Sequence, residues 1–200
     1  MRSTYPAAKR ALDIVASALG LLVLGPVMAI CALAVKASSQ GPVLFRHRRV
    51  GRRGRTFELL KFRTMADRAA GAQITSAGDP RITRVGRVLR RYKLDELPQL
   101  MNVLRGDMSL VGPRPEVKRY VDLFPREYER ILEVRPGITD FAAIEYRDEE
   151  QILARSADPE RAYVEEILPA KIRLYERYLA EASFATDVRL IFRTIGAILR

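Results

Sequence analysis

The chain has 200 residues, 48% of them hydrophobic, with 35 Lys and Arg against 24 Asp and Glu for a formal charge of +11. That is enough for one domain with a real core, no repeat or low-complexity linker divides it, and the charge implies a polyanionic neighbour: nucleic acid, anionic lipid or a phosphorylated substrate. The single cysteine, Cys31, excludes an internal disulfide and fits a reducing compartment.

The first element is apolar. Residues 12–35, "LDIVASALGLLVLGPVMAICALAV", are interrupted only by Asp13, Ser17 and two glycines. As a straight helix this stretch reaches about 36 Å, enough to cross a bilayer. Gly25-Pro26 lies near its middle, where a proline removes a helical hydrogen bond and clashes with the preceding turn at a cost of about 3 kcal/mol, so a kink or break is expected there. Basic residues flank both ends: Arg2, Lys9 and Arg10 before it, Lys36 and the Arg46–Arg55 cluster after it. The positive-inside tendency favours both ends in the cytoplasm, hence a re-entrant hairpin over a simple span, although a span with its N-terminus outside also leaves the heavier cluster inside. No small-residue cleavage pattern closes the stretch, which argues against a cleaved signal peptide.

Residues 41–65, "GPVLFRHRRVGRRGRTFELLKFRTM", read as two short strands, 43–48 and 56–62, around a Gly51–Gly54 turn. Most of these arginines suit a cationic face held against anionic headgroups. Lys61 and Arg63 alternate with Leu60 and Phe62 and are expected to share a face that converges on a ligand. His47, the only histidine, is read as exposed and non-catalytic. A polar, mobile loop is expected over 66–80. Arg81, Arg84, Arg87, Arg90 and Arg91 then lie among Ile82, Val85, Val88 and Leu89 at helical spacing, which predicts an amphipathic helix with a cationic face that an anion should cover.

In "KLDELPQLMNVLRGDMSLVGPRPE", residues 93–116, Leu94, Leu97, Met101 and Leu104 recur at helical spacing. Pro98 is tolerated only in a first turn, so the helix is expected to begin near Asp95. An N-cap role would account for Asp95 but not for Glu96. A helix N-terminus suits phosphate, a carboxylate there can attack phosphorus, two carboxylates beside phosphate oxygens suit Mg²⁺, and the stiff "GPRP" turn holds Arg114, whose fork can grip a phosphate. Together these describe a phosphoryl-transfer site beside a membrane. Further on, residues 118–132 are expected as a mixed-charge helix, "RPGIT" as a turn into a short extended piece, and 160–182 as a helix interrupted at Pro169. The closing "DVRLIFRTIGAILR" is expected as an amphipathic helix, lying at a membrane interface or docked on the core.

These motifs resemble the bacterial sugar transferases, the monotopic polyprenol-phosphate phosphoglycosyl transferases, in a small catalytic-core form. The resemblance runs through the proline-broken apolar segment, "KFRTM", "LDELPQLMNVLRGDMSLVGPRP" and "RPGIT". It implies a mostly helical α/β fold: a re-entrant membrane helix-break-helix hairpin over 1–40, broken at Gly25 and Pro26, and a cytosolic catalytic domain over 41–200 with a small basic β-hairpin and interfacial helices. It further implies Mg²⁺-dependent transfer of a sugar-1-phosphate from a UDP-sugar to undecaprenyl phosphate at the cytoplasmic face of the bacterial inner membrane, starting glycan assembly. On this resemblance Asp95 is the nucleophile that displaces UMP, Glu96 assists with metal or protons, Arg90 and Arg114 bind phosphate, and Lys61 and Arg63 belong to the substrate site. Asp95 and Glu96 are the metal ligands, anionic lipids are partners, and a homodimer is compatible. The segment after "PGIT", here "DFAAIEYRDEE" where many relatives carry a Trp-Gln segment, leaves the sugar open. A non-catalytic lipid-binding adaptor is the rival from another class; a nucleic-acid binder rests on charge alone and is not expected.

Overall fold

The computed structural model describes residues 5–66, 75 and 78–198, and its first element is one long helix, α1 (Tyr5–Ser38). The expected helix-break-helix is corrected here. Pro26 sits inside α1 without ending it: a proline forfeits one hydrogen bond and crowds the carbonyl four residues back, a cost of about 3 kcal/mol that a helix bonded on both sides absorbs. A Cβ added at Gly25 would meet nothing within 4 Å, so that glycine serves no close packing.

Only 11% of the most apolar 18-residue window of α1 is buried. Leu22, Val23, Ile30 and Leu33 are each more than 60% exposed, so this is not the core helix of a soluble domain. Its inward face is carried by Asp13, Ser17, Cys31 and Val35, all buried, and by Gly20, where a Cβ would stand 3.2 Å from Leu100. Steps of three or four residues, and one of eleven from Gly20 to Cys31 that is about three full turns, keep those positions on one side of the helix.

After α1 the chain forms the expected antiparallel hairpin, β1 (Leu44–Val50) and β2 (Thr56–Phe62), in the register Leu44 to Phe62 and Val50 to Thr56. Most of the polar loop expected over 66–80 falls on 67–74, 76 and 77, outside the described residues, as do Arg2 and the last two residues. The cationic helix is α2 (Arg84–Arg91), capped by the Thr83 hydroxyl, which accepts from Gly86 N at 2.9 Å. Arg84, Arg87 and Arg91 lie exposed on it beside half-exposed Val88 and Tyr92. Gly86 is required for packing: a Cβ there would stand 2.1 Å from the Thr64 carbonyl oxygen.

A short 3₁₀ turn, Leu94–Glu96, precedes α3 (Gln99–Arg105). Strand β3 (Ser109–Val111) pairs in parallel with β4 (Gly137–Thr139), the extended piece expected from "RPGIT". Between them lie α4 (Lys118–Val121) and α5 (Pro125–Ile131). The single helix expected over 118–132 is therefore two, because Pro125 cannot donate into a preceding turn and instead opens α5. The chain continues through α6 (Phe141–Glu145), α7 (Glu149–Leu153) and α8 (Pro159–Ala162). Instead of an interruption at Pro169, a π-turn over Tyr163–Ile167 joins α8 to α9 (Leu168–Glu181). The missing N–H of Pro169 is lost where the hydrogen-bond pattern already shifts.

The largest apolar cluster gathers Tyr128, Ile131, Leu153, Tyr163, Leu168, Ile172 and Tyr175. A smaller one joins Cys31 and Val35 of α1 to Phe62 and Leu89. The last helix, α10 (Phe184–Ile198), docks on the body through buried Asp187 and Leu190, while Phe192 and Ile195 on its outer face are at least half exposed.

Candidate active site

The Asp95-Glu96 pair sits in the 3₁₀ turn, behind Lys93 in the left-handed region at φ 54°, a conformation that costs a non-glycine residue of order 1–2 kcal/mol. That turn breaks the direction of α2 and places both carboxylates inward. The N-cap reading of Asp95 does not apply: α3 starts at Gln99 behind Pro98, with no side-chain cap.

Glu96 is held on both oxygens. Lys61 donates to Oε1 at 2.9 Å, and Arg114 straddles the carboxylate with one nitrogen on Oε1 and the other 3.2 Å from Oε2. Burial works to raise the pKa of Glu96, but Arg114 and Lys61 outweigh it and hold it well below the usual carboxylate range. Asp95 behaves oppositely. Burial raises its pKa against the pull of Lys61, Arg90 and Lys93, with Glu96 adding to the rise. Its Oδ1 is buried and has no hydrogen-bond partner among the described residues. Two adjacent carboxylates whose environments drive them apart are the arrangement that assigns different chemical roles to like groups.

Arg114 owes its place to the β3–β4 ladder. Gly112 N donates to Thr139 O, Gly137 N donates to Pro113 O, and Arg114 N donates to Asp140 Oδ2 at 3.2 Å. A Cβ on Gly137 would stand 2.1 Å from Gly112 N, so two glycines let the strands close up and leave the turn little slack. Asp140 also caps α6, accepting from Ala143 N at 2.6 Å, and burial lifts its pKa to about 6.

Of the six side chains expected to act on substrate, Asp95, Glu96, Lys61 and Arg114 converge. Arg90 is near enough to Asp95 to act on its charge, but its own bonds go to Thr64 Oγ1 at 2.9 Å and Glu150 Oε1 at 2.6 Å. Arg63 does not join Lys61. It donates to the Ser39 carbonyl at 2.7 Å and hydroxyl at 3.0 Å, where α1 ends, because the strand stops at Phe62 and the alternation of faces stops with it. Gly25 and Pro26 lie within α1 and do not join the site. His47 is half-buried rather than exposed, and its Nδ1 accepts from Arg49 at 3.3 Å. Asp140, Glu150 and Thr64, which hold the arginines, were not singled out from the sequence. Asp140 directly follows the "RPGIT" motif, the one signal that could have marked it.

Among the described residues no group of three or more His, Cys, Asp or Glu could hold a metal, so an ion here would need substrate oxygens as well. The free Oδ1 of Asp95 fits such a role, whereas both Glu96 oxygens are already engaged.

A model of the family described as bacterial sugar transferase matches residues 4–200. The chain is 40% identical over 202 residues to the UDP-N-acetylgalactosamine-undecaprenyl-phosphate N-acetylgalactosaminephosphotransferase of Aeromonas hydrophila, covering 98% of this chain and 44% of that one. It is 40% identical over 196 residues to the UDP-glucose:undecaprenyl-phosphate glucose-1-phosphate transferase of Caulobacter vibrioides, covering 96% and 69%. It is 39% identical over 203 residues to the exopolysaccharide production protein PSS of Rhizobium leguminosarum bv. phaseoli, covering 94% and 92%. The chain thus spans less than half of the Aeromonas protein and nearly all of the Rhizobium one.

Proposed function

This chain belongs to the bacterial sugar transferase family, and from that premise we propose that it moves a sugar-1-phosphate from a UDP-sugar to undecaprenyl phosphate, through a phosphosugar carried covalently on Asp95. The observation that carries this reading is the buried Asp95 Oδ1 without a partner, beside a Glu96 fully occupied by Lys61 and Arg114. One carboxylate organises the cations and the other keeps an oxygen to react.

In the first half-reaction an Asp95 oxygen bonds to the sugar-bearing phosphorus of the donor. The bond from that phosphorus to the bridging oxygen breaks, and UMP leaves with the bridging oxygen and its electron pair. In the second, an oxygen of undecaprenyl phosphate bonds to the same phosphorus and the bond to Asp95 breaks, restoring the carboxylate and giving the lipid diphosphate sugar that starts glycan assembly. Arg114, fixed by two prolines and the β3–β4 ladder, and Lys61 are placed to stabilise charge on the transferring group. Arg90 sits behind Asp95 and adds to the same field. Arg63 stands outside this cluster, holding the exit of α1 at Ser39. Mg²⁺, when bound, would be held by Asp95 with donor phosphate oxygens, and by Glu96 where Lys61 or Arg114 yields, and would neutralise phosphate charge. The relatives at 40% identity are named for different sugars, N-acetylgalactosamine and glucose, so overall identity does not select the donor.

The proposed organisation is a membrane module over 1–40 and a catalytic body over 41–200, on the cytoplasmic face of the inner membrane. Support for a re-entrant placement comes from both ends of α1. Lys9, Arg10 and Asp13 bond to the body near one end, and Cys31 and Val35 pack on it near the other. A bilayer-spanning helix would separate these sets by most of about 30 Å of hydrocarbon. Pro26 is where α1 can bend within the leaflet. The exposed arginines of α2 and the outer face of α10 then meet anionic lipid.

The test is the intact mass of detergent-purified protein given Mg²⁺ and a panel of UDP-sugars, without polyprenol phosphate. A gain of one sugar phosphate with release of UMP, absent in Asp95→Asn, is expected. Release of UDP in place of UMP would overturn this chemistry.

A further inference from the structure

Helix α1 is apolar except where it touches the body, and its polar side chains do specific work there. Asp13 is 2% exposed. Its Oδ1 accepts from the Ser109 hydroxyl at 3.0 Å and from Leu110 N at 2.9 Å. One turn earlier, Lys9 donates to the Val111 carbonyl at 2.8 Å and pairs with Asp187 at 2.6 Å. Among the described residues strand β3 has a single strand neighbour, β4. The Leu110 N–H and Val111 C=O are therefore met not by a third strand but by Asp13 and Lys9, four residues apart on one face of α1, with the Tyr178 hydroxyl of α9 also donating to the Val111 carbonyl at 3.3 Å.

The same turn of α1 reaches the other half of the site. Arg10 donates to Val103 O at 2.7 Å and Leu104 O at 2.9 Å, the carbonyls at the C-terminal end of α3. The α3 helix follows the Asp95-Glu96 turn, and β3 runs directly into Gly112-Pro113-Arg114. Residues 9–13 thus hold both chain segments whose separation sets the grip of Arg114 on Glu96.

On the reading of Arg114 as a phosphate-gripping residue, we propose that Asp13 is a positioning residue for the transfer reaction: it fixes the free edge of β3 and thereby the Arg114 guanidinium, tying docking of the membrane helix to assembly of the site. The linkage is stiff. Pro113 and Pro115 fix their own backbone angles, and Gly112 lies so close to the neighbouring chain that a Cβ there would stand 2.6 Å from the Arg135 carbonyl oxygen. A shift of β3 is carried to Arg114 instead of being absorbed before it.

The test is a double-mutant cycle in one detergent, reading kcat/KM and thermal midpoint together. Asp13→Ala takes the acceptor from the part-buried Leu110 N–H and should lower kcat/KM by about 10²-fold, the scale of a misplacement of about 1 Å. In an Arg114→Ala background the same substitution should cost less than about twofold, because nothing remains to be positioned. Asp13→Asn keeps an acceptor oxygen and should restore most of the activity. Should Asp13→Ala unfold the chain, Ser109→Ala removes only one donor, and it should cost about threefold to tenfold in the parent and nothing measurable beside Arg114→Ala. Equal losses in both backgrounds would overturn the positioning role while leaving Arg114 in the site. An Arg114→Ala enzyme with full turnover would overturn the reading of Arg114 and the positioning role with it.

Discussion

Glu96 and Glu116 lie on either side of the same Arg114-Pro115 segment, and both are buried acids held by cations, yet the clusters around them differ in what is left over. Around Glu116 the acceptors are used up: Oε1 takes Arg49 at 2.6 Å and Val117 N at 2.8 Å, and Oε2 takes the Tyr163 hydroxyl at 2.5 Å. Lys171, paired with Glu149 at 2.8 Å, lies over the Tyr163 ring. Burial works to raise the Glu116 pKa, but Arg49, Lys171 and the Tyr163 hydroxyl bring it down. Glu96 is satisfied in the same manner by Lys61 and Arg114, but its neighbour Asp95 is not, and that carboxyl is pushed up by burial. The ingredients are alike and the spare capacity differs. A buried acid with every oxygen bonded holds a fold together; one with an oxygen left over carries a cost that a substrate or cation relieves.

The largest effect that could break this contrast is at Asp95. Asp95→Asn should lower turnover by about 10⁴-fold or more, the scale on which losing a covalent group acts, while leaving the thermal midpoint unchanged or raising it. The sign follows from linkage. A folded-state pKa above the unfolded value means the folded protein loses stability as pH rises through that range, so removing the charge removes a penalty at neutral pH. A midpoint several degrees lower would make Asp95 structural.

Glu116→Gln is the counterpart. It leaves Arg49 facing a neutral amide and should cost about 3 kcal/mol of stability, a midpoint lower by about 6–12 °C for a chain of this size. Turnover per folded molecule should fall by less than about tenfold, in keeping with a role outside the reacting groups. A loss as deep as that of Asp95→Asn, at matched folded fraction, would erase the distinction between the two clusters.

Local elements were legible wherever pattern and punctuation agreed. The 41–65 hairpin, the cationic helix before the acidic pair and the strand at "RPGIT" all formed, because alternation, helical spacing and Gly-Pro signals act within a few residues. The proximity of Lys61, Arg114 and the acidic pair was also within reach of motif reading. Partners distant in the chain were not. Nothing near Asp13 points to Ser109, 96 residues away, and Glu116 read as the end of a Pro-Arg-Pro turn until Arg49 and Tyr163 closed around it. Asp13 did announce itself, as a lone acid in an apolar run, but its meaning depended on which edge of β3 lacked a strand. The π-turn at Tyr163–Ile167 lies just before Pro169, which marked a change in the helix without saying what form it takes.

His47 gives the smallest and most direct reading of the contrast, because it lies between the two clusters and is the only histidine in the chain. Its pKa is lowered to about 4, first by burial, then by Arg49 from the Glu116 side and Lys61 from the Glu96 side, with Glu116 pulling the other way. The unfolded chain binds this proton near pH 6.5 and the folded one only near 4. The contribution to stability is therefore complete above about pH 6.5 and is lost as pH falls through that window. His47→Gln should flatten the decline in thermal midpoint between about pH 6.5 and 4, with little change at pH 7.5. The imidazole resonance should titrate near 4 in the parent, higher in Lys61→Met, where one cation is gone, and lower in Glu116→Gln, where the opposing carboxylate is gone. If neither substitution moved the midpoint, the charges of the two clusters would not meet at His47, and burial alone would set its neutrality.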